Sequence, residues 1–288
     1  MVTSKKTVHA PAKLNIRLKV TGRRPDGYHE LVSIMVPISL FDHLELKIIR
    51  PQRTIITSEG YPVPNNEKNL AYRAAQSFFS LTGINSGLSI KLTKNIPVAA
   101  GLGGGSSNAA CTLKTLNEMW SNPLTSKALM DLALSLGADV PFFLHSRPCL
   151  ARGIGEILKP IGNWPKFWYI VITPPLRIST SWAYGNLKLK LTTDENNSII
   201  NTLRKQPLDI IKILENDLET VTASHFPVIS TIKKSLVDAG AHGALMSGSG
   251  PSVFGIFRSK DQALSAKRVI SSQNLGDIFV VKGLQPSS

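Results

Sequence analysis

Residues 97–110 read PVAAGLGGGSSNAA, with four glycines in five positions, then two serines and a run of small residues. Ordering glycine costs more conformational entropy than ordering any other residue. So dense a cluster marks a backbone that must turn tightly or come close to something. A strand (LSIKLTK, 88–94) precedes it, and a helical pattern opening with Ser-Ser-Asn follows it. Strand, glycine-rich turn and helix start together hold phosphate. Glycine lets successive N–H groups converge on one anion, and the helix adds unpaired donors and the positive end of its dipole. Ser106 or Ser107 would add a hydroxyl for a phosphate oxygen or a metal. The stretch is neither of two familiar cradles. No lysine follows the glycines as GxxxxGK[ST] requires, and GxGxxG counted from Gly101 ends on Ser106. The alternative is a flexible helix-capping loop.

Other residues have types that do chemistry. Lys13 and Asn15 share one face of an alternating strand, KLNIRLKV, 13–20, which reads as half-buried with a polar solvent side. Asp139 stands two residues before Pro141, where an Asp is also a good helix N-cap. Tyr28 and His29 follow a turn-rich segment, TGRRPDGYHE, 21–30. SGSGPS, 247–252, lies between two strand-like stretches. Cys111 and Cys149 read as buried thiols, too few for a disulfide scaffold or a zinc site. His9, His43, His145, His225 and His242 show no ligand spacing, so no protein metal site is expected.

The elements that must position these residues follow from periodicity. HLELKIIR, 43–50, is a second alternating strand, and residues 67–81 have helical spacing. Ala109, Leu113, Leu116 and Trp120 recur at helical intervals and predict an amphipathic helix over 107–120. A helix over 125–136 starts at a capping Thr125 and stops at Gly137. Residues 155–165 hold two prolines and two glycines and read as a domain junction. Beyond them come a strand at 167–173, a helix-rich region over 181–238, and short strands at 243–246 and 253–257. The irregular mixture predicts α+β architecture in two domains.

The chain has 288 residues, 42% hydrophobic and 18% charged, which excludes a disordered polymer. No apolar run reaches the ~18–20 residues that span a membrane, and the basic start has no apolar signal core. The net charge of +14 fits a solvated basic surface, a small polyanionic substrate, or nucleic acid. The basic residues are spread along the chain, and no reader motif with interleaved aromatics accompanies them.

Four segments in order resemble one superfamily. P-x-x-x-G-L-G-G-G-S-S-N, from Pro97, is similar to the ATP motif shared by galactokinase, homoserine kinase, mevalonate kinase and phosphomevalonate kinase. The triple glycine with the ending SSNAA resembles the 4-diphosphocytidyl-2-C-methyl-D-erythritol kinase branch. APAKLNIRLKVTGRRPDGYHEL, from residue 10, resembles that branch's first motif. GADVPFF, 137–143, resembles its catalytic segment, and SGSGPSVFG, 247–255, the motif that folds back under the glycine loop.

The resemblance implies a two-domain α+β small-molecule kinase with its active site in the cleft between domains. Residues 1–156 would be the ATP-binding domain and 157–288 the substrate domain. It implies ATP with Mg²⁺, and transfer of the γ-phosphate to the 2-hydroxyl of 4-diphosphocytidyl-2-C-methyl-D-erythritol. Lys13 and Asp139 would be catalytic, the carboxylate taking the hydroxyl proton and the lysine keeping it ionised. ATP would lie on Pro97, Val98, Ala99, Ala100, Gly101, Leu102, Gly103, Gly104, Gly105, Ser106, Ser107 and Asn108, with Lys94 and Asn69 lining the adenine pocket. Any Mg²⁺ would arrive with ATP and touch Ser107. Asn15, Tyr28 and His29 would hold the acceptor. A second aromatic, Tyr184 with Trp182 as its rival, would sandwich the cytosine. Ala99 and Ala100 stand where relatives carry glycine or methionine. The partners implied are these two small molecules, without nucleic acid or membrane, for a monomer or weak homodimer in the cytoplasm. Two rivals remain: a homoserine, mevalonate or sugar acceptor, and a basic nucleic-acid-binding protein on a related fold.

Overall fold

A computed structural model describes residues 4–187, 202–203 and 208–285. The chain forms two compact units interleaved along the sequence. The first comprises Met1–Ala12, Leu40–Val98 and Gly103–Ser146, the second Lys13–Ser39, Ala99–Leu102 and Arg147–Ser288. Two long strands, β1 (Lys5–Arg23) and β2 (His29–Ile49), contribute to both.

In the first unit the far end of β2 pairs antiparallel with β4 (Gly87–Lys94), from His43 opposite Thr93 to Ile49 opposite Gly87. β4 pairs parallel with β3 (Thr54–Gly60). Four helices complete the unit: α1 (Leu70–Thr82), α2 (Gly104–Met119), α3 (Ser126–Leu136) and α4 (Val140–His145). α1 buries Ala71, Ala74, Ala75 and Phe78. α2 is buried on most sides, and Ser107, Ala109 and Ala110 are the small residues that let neighbours come close. Thr125 caps α3 by accepting from the Ala128 N–H, and Gly137 ends it, as its sequence predicts.

In the second unit β5 (Cys149–Arg152) pairs antiparallel with β2 and with β6 (Ile157–Pro160). β8 (Glu215–Asn216) runs parallel to β1, with Arg17 opposite Glu215. A separate antiparallel sheet has the order β11 (Asp277–Lys282), β7 (Trp168–Thr173), β10 (Val253–Phe257), β9 (Ala244–Met246). α5 (Thr180–Gly185), α6 (Asp217–His225), α7 (Val228–Asp238) and α8 (Lys260–Ile270) accompany it. Its core gathers Leu18, Ile170, Ile172, Ile232, Leu236 and Phe257.

Three expectations change. The strand over 13–20 is not half-exposed: Lys13, Asn15, Arg17 and Lys19 are buried along with the alternating apolar set. Their polar groups find protein partners instead of water. Asn15 donates to Ser33, Arg17 pairs with Glu215, and Lys19 Nζ lies 3.3 Å from the same carboxylate. The strand at 43–50 is the end of a 21-residue strand, whose first half is disguised by Pro37 and by burial of both faces over 31–38, which removes the alternation. The helix expected at 107 begins at Gly104. β3, α8 and β11 add to the expected elements; α8 opens at Ser259, whose hydroxyl accepts from the Gln262 N–H. Part of the helix-rich region expected over 181–238 lies outside the described residues. No described helix is long and apolar enough to cross a membrane.

Candidate functional site

The glycine stretch leaves β4 and turns into α2. Ala99, Gly101 and Gly103 all have positive φ, at 52°, 74° and 70°. Such alternation curls the backbone so that its N–H groups face inward, a geometry that suits anions. Ala99 adopts this conformation with a Cβ, at a cost of about 1–2 kcal/mol. The N-cap of α2 is Gly103, and no side chain caps the helix. Gly104, Gly105 and Ser106 therefore begin a helix whose first N–H groups have no partner within it. The two serines do not cap: both lie inside the helix. Gly105 is exposed and Ser106 partly so, whereas Ser107 is fully buried and its Oγ has no hydrogen-bond partner. Gly104 is required by packing, since a Cβ there would stand 2.7 Å from Lys94 Nζ and 2.9 Å from the Ile96 side chain.

Lys94 is buried beneath this turn. Its ammonium donates to Asp42 at 2.6 Å and to the Ile96 carbonyl at 2.8 Å. Burial lowers its pKa, and the Asp42 carboxylate opposes that shift. Asn108 donates to the same carboxylate at 2.9 Å. Asn69 is the N-cap of α1: its Oδ1 accepts from Ala71 N–H at 3.0 Å, and its Nδ2 donates to the Pro64 carbonyl at 2.9 Å. Asp139 occupies the N-cap position of α4, yet its side chain makes no capping bond, and it is partly exposed. The helix-capping reading of Asp139 therefore does not describe it.

In the second unit three distant segments form one hydrogen-bonded assembly. Lys13 donates from its ammonium to Asn15 Oδ1, and Asn15 Nδ2 donates to Ser33 Oγ at 2.8 Å. The Asn15 N–H reaches Ser247 Oγ at 3.2 Å, and that hydroxyl donates to the Gly101 carbonyl at 3.0 Å. The backbone adds Lys13 N–H to the Leu102 carbonyl at 3.0 Å and Ser252 N–H to the Ala100 carbonyl at 3.3 Å. A Cβ on Gly101 would lie 2.0 Å from the Ser247 carbonyl oxygen. SGSGPS therefore lies directly against residues 100–102 of the glycine loop. Asn216, which the motifs do not reveal, supports that segment, its Nδ2 donating to the Met246 and Gly248 carbonyls at 2.8 Å each.

Tyr28 is 58% exposed. The His29 ring stacks on Tyr184, with centroids 4.9 Å apart and planes 26° from parallel. Burial first, and Arg23 second, hold its pKa below the usual imidazole value. Trp182 instead packs edge-on against His225 and Phe226, at 5.0 and 5.6 Å. Of the two aromatics expected near a base, Tyr184 is the one beside His29. A third ring between them needs about 7 Å, twice the optimal contact distance, so the stack is closed as it stands.

His9 and His43, which no spacing rule joins, face each other across β1 and β2 with Nδ1 atoms 2.5 Å apart. Among the described residues no group of three or more His, Cys, Asp or Glu could hold a metal ion. Burial pushes the Cys111 thiol up to about 12 and the Cys149 thiol up to about 11.

An uncapped helix start behind a turn of alternating positive φ suits an anionic ligand such as a phosphate. Comparison with known proteins agrees. The profile of the GHMP kinases N terminal domain matches residues 69–147, and that of the GHMP kinases C terminal matches residues 199–275. The 4-diphosphocytidyl-2-C-methyl-D-erythritol kinase of Syntrophotalea carbinolica is 46% identical over 273 residues, covering 95% of this chain and 97% of that protein. A crystal structure of 4-(cytidine 5'-diphospho)-2C-methyl-D-erythritol kinase superposes with a TM-score of 0.81 at 34% identity, covering 96% of this chain and 99% of that one. The homoserine kinase of Cytophaga hutchinsonii shares the fold, with a TM-score of 0.78 at 21% identity and coverage of 99% and 97%. The fold is that of the GHMP kinases, and the chain is an ATP-dependent kinase of that class. Within that class, the chain belongs to the 4-diphosphocytidyl-2-C-methyl-D-erythritol kinase family.

Proposed function

We propose that this protein transfers the γ-phosphate of ATP to the 2-hydroxyl of 4-diphosphocytidyl-2-C-methyl-D-erythritol, an isoprenoid precursor, releasing ADP. The observation that carries the reading is the uncapped start of α2 behind three alternating positive-φ residues, in a chain of this family. The triphosphate lies on residues 97–108, where the N–H groups of Gly104, Gly105 and Ser106 take up its charge. A Mg²⁺ ion would neutralise phosphate charge and would be held mainly by the triphosphate itself. The hydroxyl of Ser106 is the accessible protein group for it, and the orphaned Ser107 Oγ stands one residue further on. Asp139 takes the proton of the acceptor hydroxyl as the phosphoryl group moves. Lys13, oriented by Asn15, stabilises charge on the reacting oxygens. That hydroxyl is tertiary and a poor nucleophile, so positioning supplies much of the rate. His29 and Tyr184 bind the cytosine, which takes an outer face of their stack or parts the two rings. Tyr28 packs beside it.

A boundary near 156–157 would fall between the two matched regions, although Lys13–Ser39 and Ala99–Leu102 group with the chain beyond it and β5 pairs with β6 across it. The charge of +14 draws in two anionic substrates without making a nucleic-acid site. The enzyme works as a monomer or weak homodimer in the cytoplasm.

The test is ADP release with Mg²⁺ and, separately, the cytidine compound, homoserine and mevalonate. Turnover with the first alone is expected; turnover only with another acceptor refutes the substrate. Asp139→Asn is expected to lose at least about 100-fold in kcat, the lower range for general-base catalysis. Near-normal turnover of that variant would remove Asp139 from the mechanism.

A further inference from the structure

Asp42 occupies a position on β2 whose same-phase neighbours are Leu40, Leu44 and Leu46, and it is completely buried. Both carboxylate oxygens are saturated. Oδ1 accepts the N–H groups of Asn95 and Ile96 at 2.8 Å each. Oδ2 accepts Lys94 Nζ at 2.6 Å and Asn108 Nδ2 at 2.9 Å. The donors come from two places in the chain: the end of β4 with the residues just beyond it, and the second turn of α2. These are the two ends of the glycine loop. The Asp42–Lys94 pair also backs the first residue of α2, since Lys94 Nζ fills the space a Gly104 Cβ would need.

A buried ion pair is a poor device for stability alone, because apolar side chains of the same volume pack there at no loss. What this carboxylate does that a leucine cannot is hold four donors from two segments at fixed directions. We infer that Asp42 is a positioning residue for the phosphate donor: it clamps the entry and the exit of the glycine loop, and so keeps the N–H groups of Gly104, Gly105 and Ser106 aimed at the triphosphate. The inference rests on reading residues 97–108 as the ATP site. Asn108 is part of the clamp, and its contribution to ATP binding runs through Asp42.

The test uses the full chain and reads KM for ATP apart from KM for the acceptor. Asp42→Asn turns an acceptor into a donor facing Lys94 and Asn108, and it leaves the ammonium without its counter-charge. Two gentler variants accompany it. Asn108→Ala cuts one tether and keeps the Asp42–Lys94 pair. The double variant Asp42→Asn, Lys94→Met removes both charges together, so no unpaired ion stays buried. In both, a native urea midpoint is established first. The expected result is a rise in KM for ATP of roughly tenfold, equivalent to about 1.4 kcal/mol, with KM for the acceptor within about twofold of the parent value. A merely structural role would reduce the active fraction, and therefore kcat, while leaving both KM values in place. KM for ATP within about twofold of the parent value in the two folded variants overturns the inference. If the parent protein itself fails to bind MgATP by calorimetry, the ATP reading falls, and the inference with it.

Discussion

Gly101→Ala tests the assembly beneath the glycine loop most directly, because a second glycine provides its control. Gly101 has φ +74°, and a Cβ there would lie 2.0 Å from the Ser247 carbonyl oxygen, 3.0 Å from its carbon and 3.2 Å from the Gly250 nitrogen. Every one of these is a backbone atom, so no side chain can swing aside. Ordinary contact begins at 3.4 Å, which demands a displacement of 3.4 − 2.0 = 1.4 Å from a segment pinned by Ser247, Ser252 and Asn216. Gly83, the C-cap of α1, has nearly the same φ, +68°, with nothing within 4 Å of its Cβ position. Both substitutions place alanine in the left-handed region, at about 1–2 kcal/mol. Both gain the same entropy in the unfolded chain, which cancels in the comparison. Only Gly101→Ala adds the overpacking cost, about 1–3 kcal/mol. The expected loss is therefore about 2–5 kcal/mol for Gly101→Ala and about 1–2 kcal/mol for Gly83→Ala. Urea unfolding of both variants measures the difference, and ATP titration of the folded fraction should show weakened binding for Gly101→Ala alone. Equal losses, with ATP affinity untouched in both, would mean that the 247–251 segment does not pack on the loop as described.

Further outcomes follow from individual contacts. Asn216→Ala removes the donor to two carbonyls and the cap of α6, and should cost about 2–4 kcal/mol by urea unfolding, summing two to three ordinary hydrogen bonds; a loss under about 0.5 kcal/mol would show that water replaces it. Cys111 and Cys149, their thiols pushed up to about 12 and about 11, should resist a disulfide reagent at pH 8 in the native protein and both react in denaturant. Fast native labelling of Cys149 would contradict its burial; Cys111, expected to be buried, is only half-buried, and fast labelling there would contradict its raised pKa. His29 titrates below the usual 6.5 in the folded chain, so below that pH the unfolded chain binds more protons, and stability falls as the pH drops through the range just under 6.5. His29→Gln should flatten that part of the stability profile, and an unchanged slope would assign it to another group.

Much of the site is visible in the sequence because its signals are local. The glycine cluster announces its backbone conformation, since positive φ at 101 and 103 suits glycine. Thr125 and Gly137 mark the ends of α3 by short-range hydrogen bonding and chain reversal. The order of four motifs along one chain already points to the family. The start of α2 is less visible, because helix propensity argues against Gly104 and Gly105, while the packing of Lys94 and Ile96 admits nothing larger at 104. Asp42 has only a faint signal, an acid in the apolar phase of an alternating strand, and that pattern does not name its partners.

The tertiary structure decides what the polar residues of β1 are for. From the alternation alone, Lys13, Asn15, Arg17 and Lys19 make a solvent face; in the fold they are an interior one. The difference lies in partners remote in sequence: Ser247 is 232 residues from Asn15, and Glu215 faces Arg17 through a two-residue strand that no periodicity predicts. Sequence patterns record which groups are polar and which backbone conformations are permitted, because both are properties of a residue and its near neighbours. Whether a polar group meets water or another segment depends on loop closure over hundreds of residues, and only the folded chain contains that information.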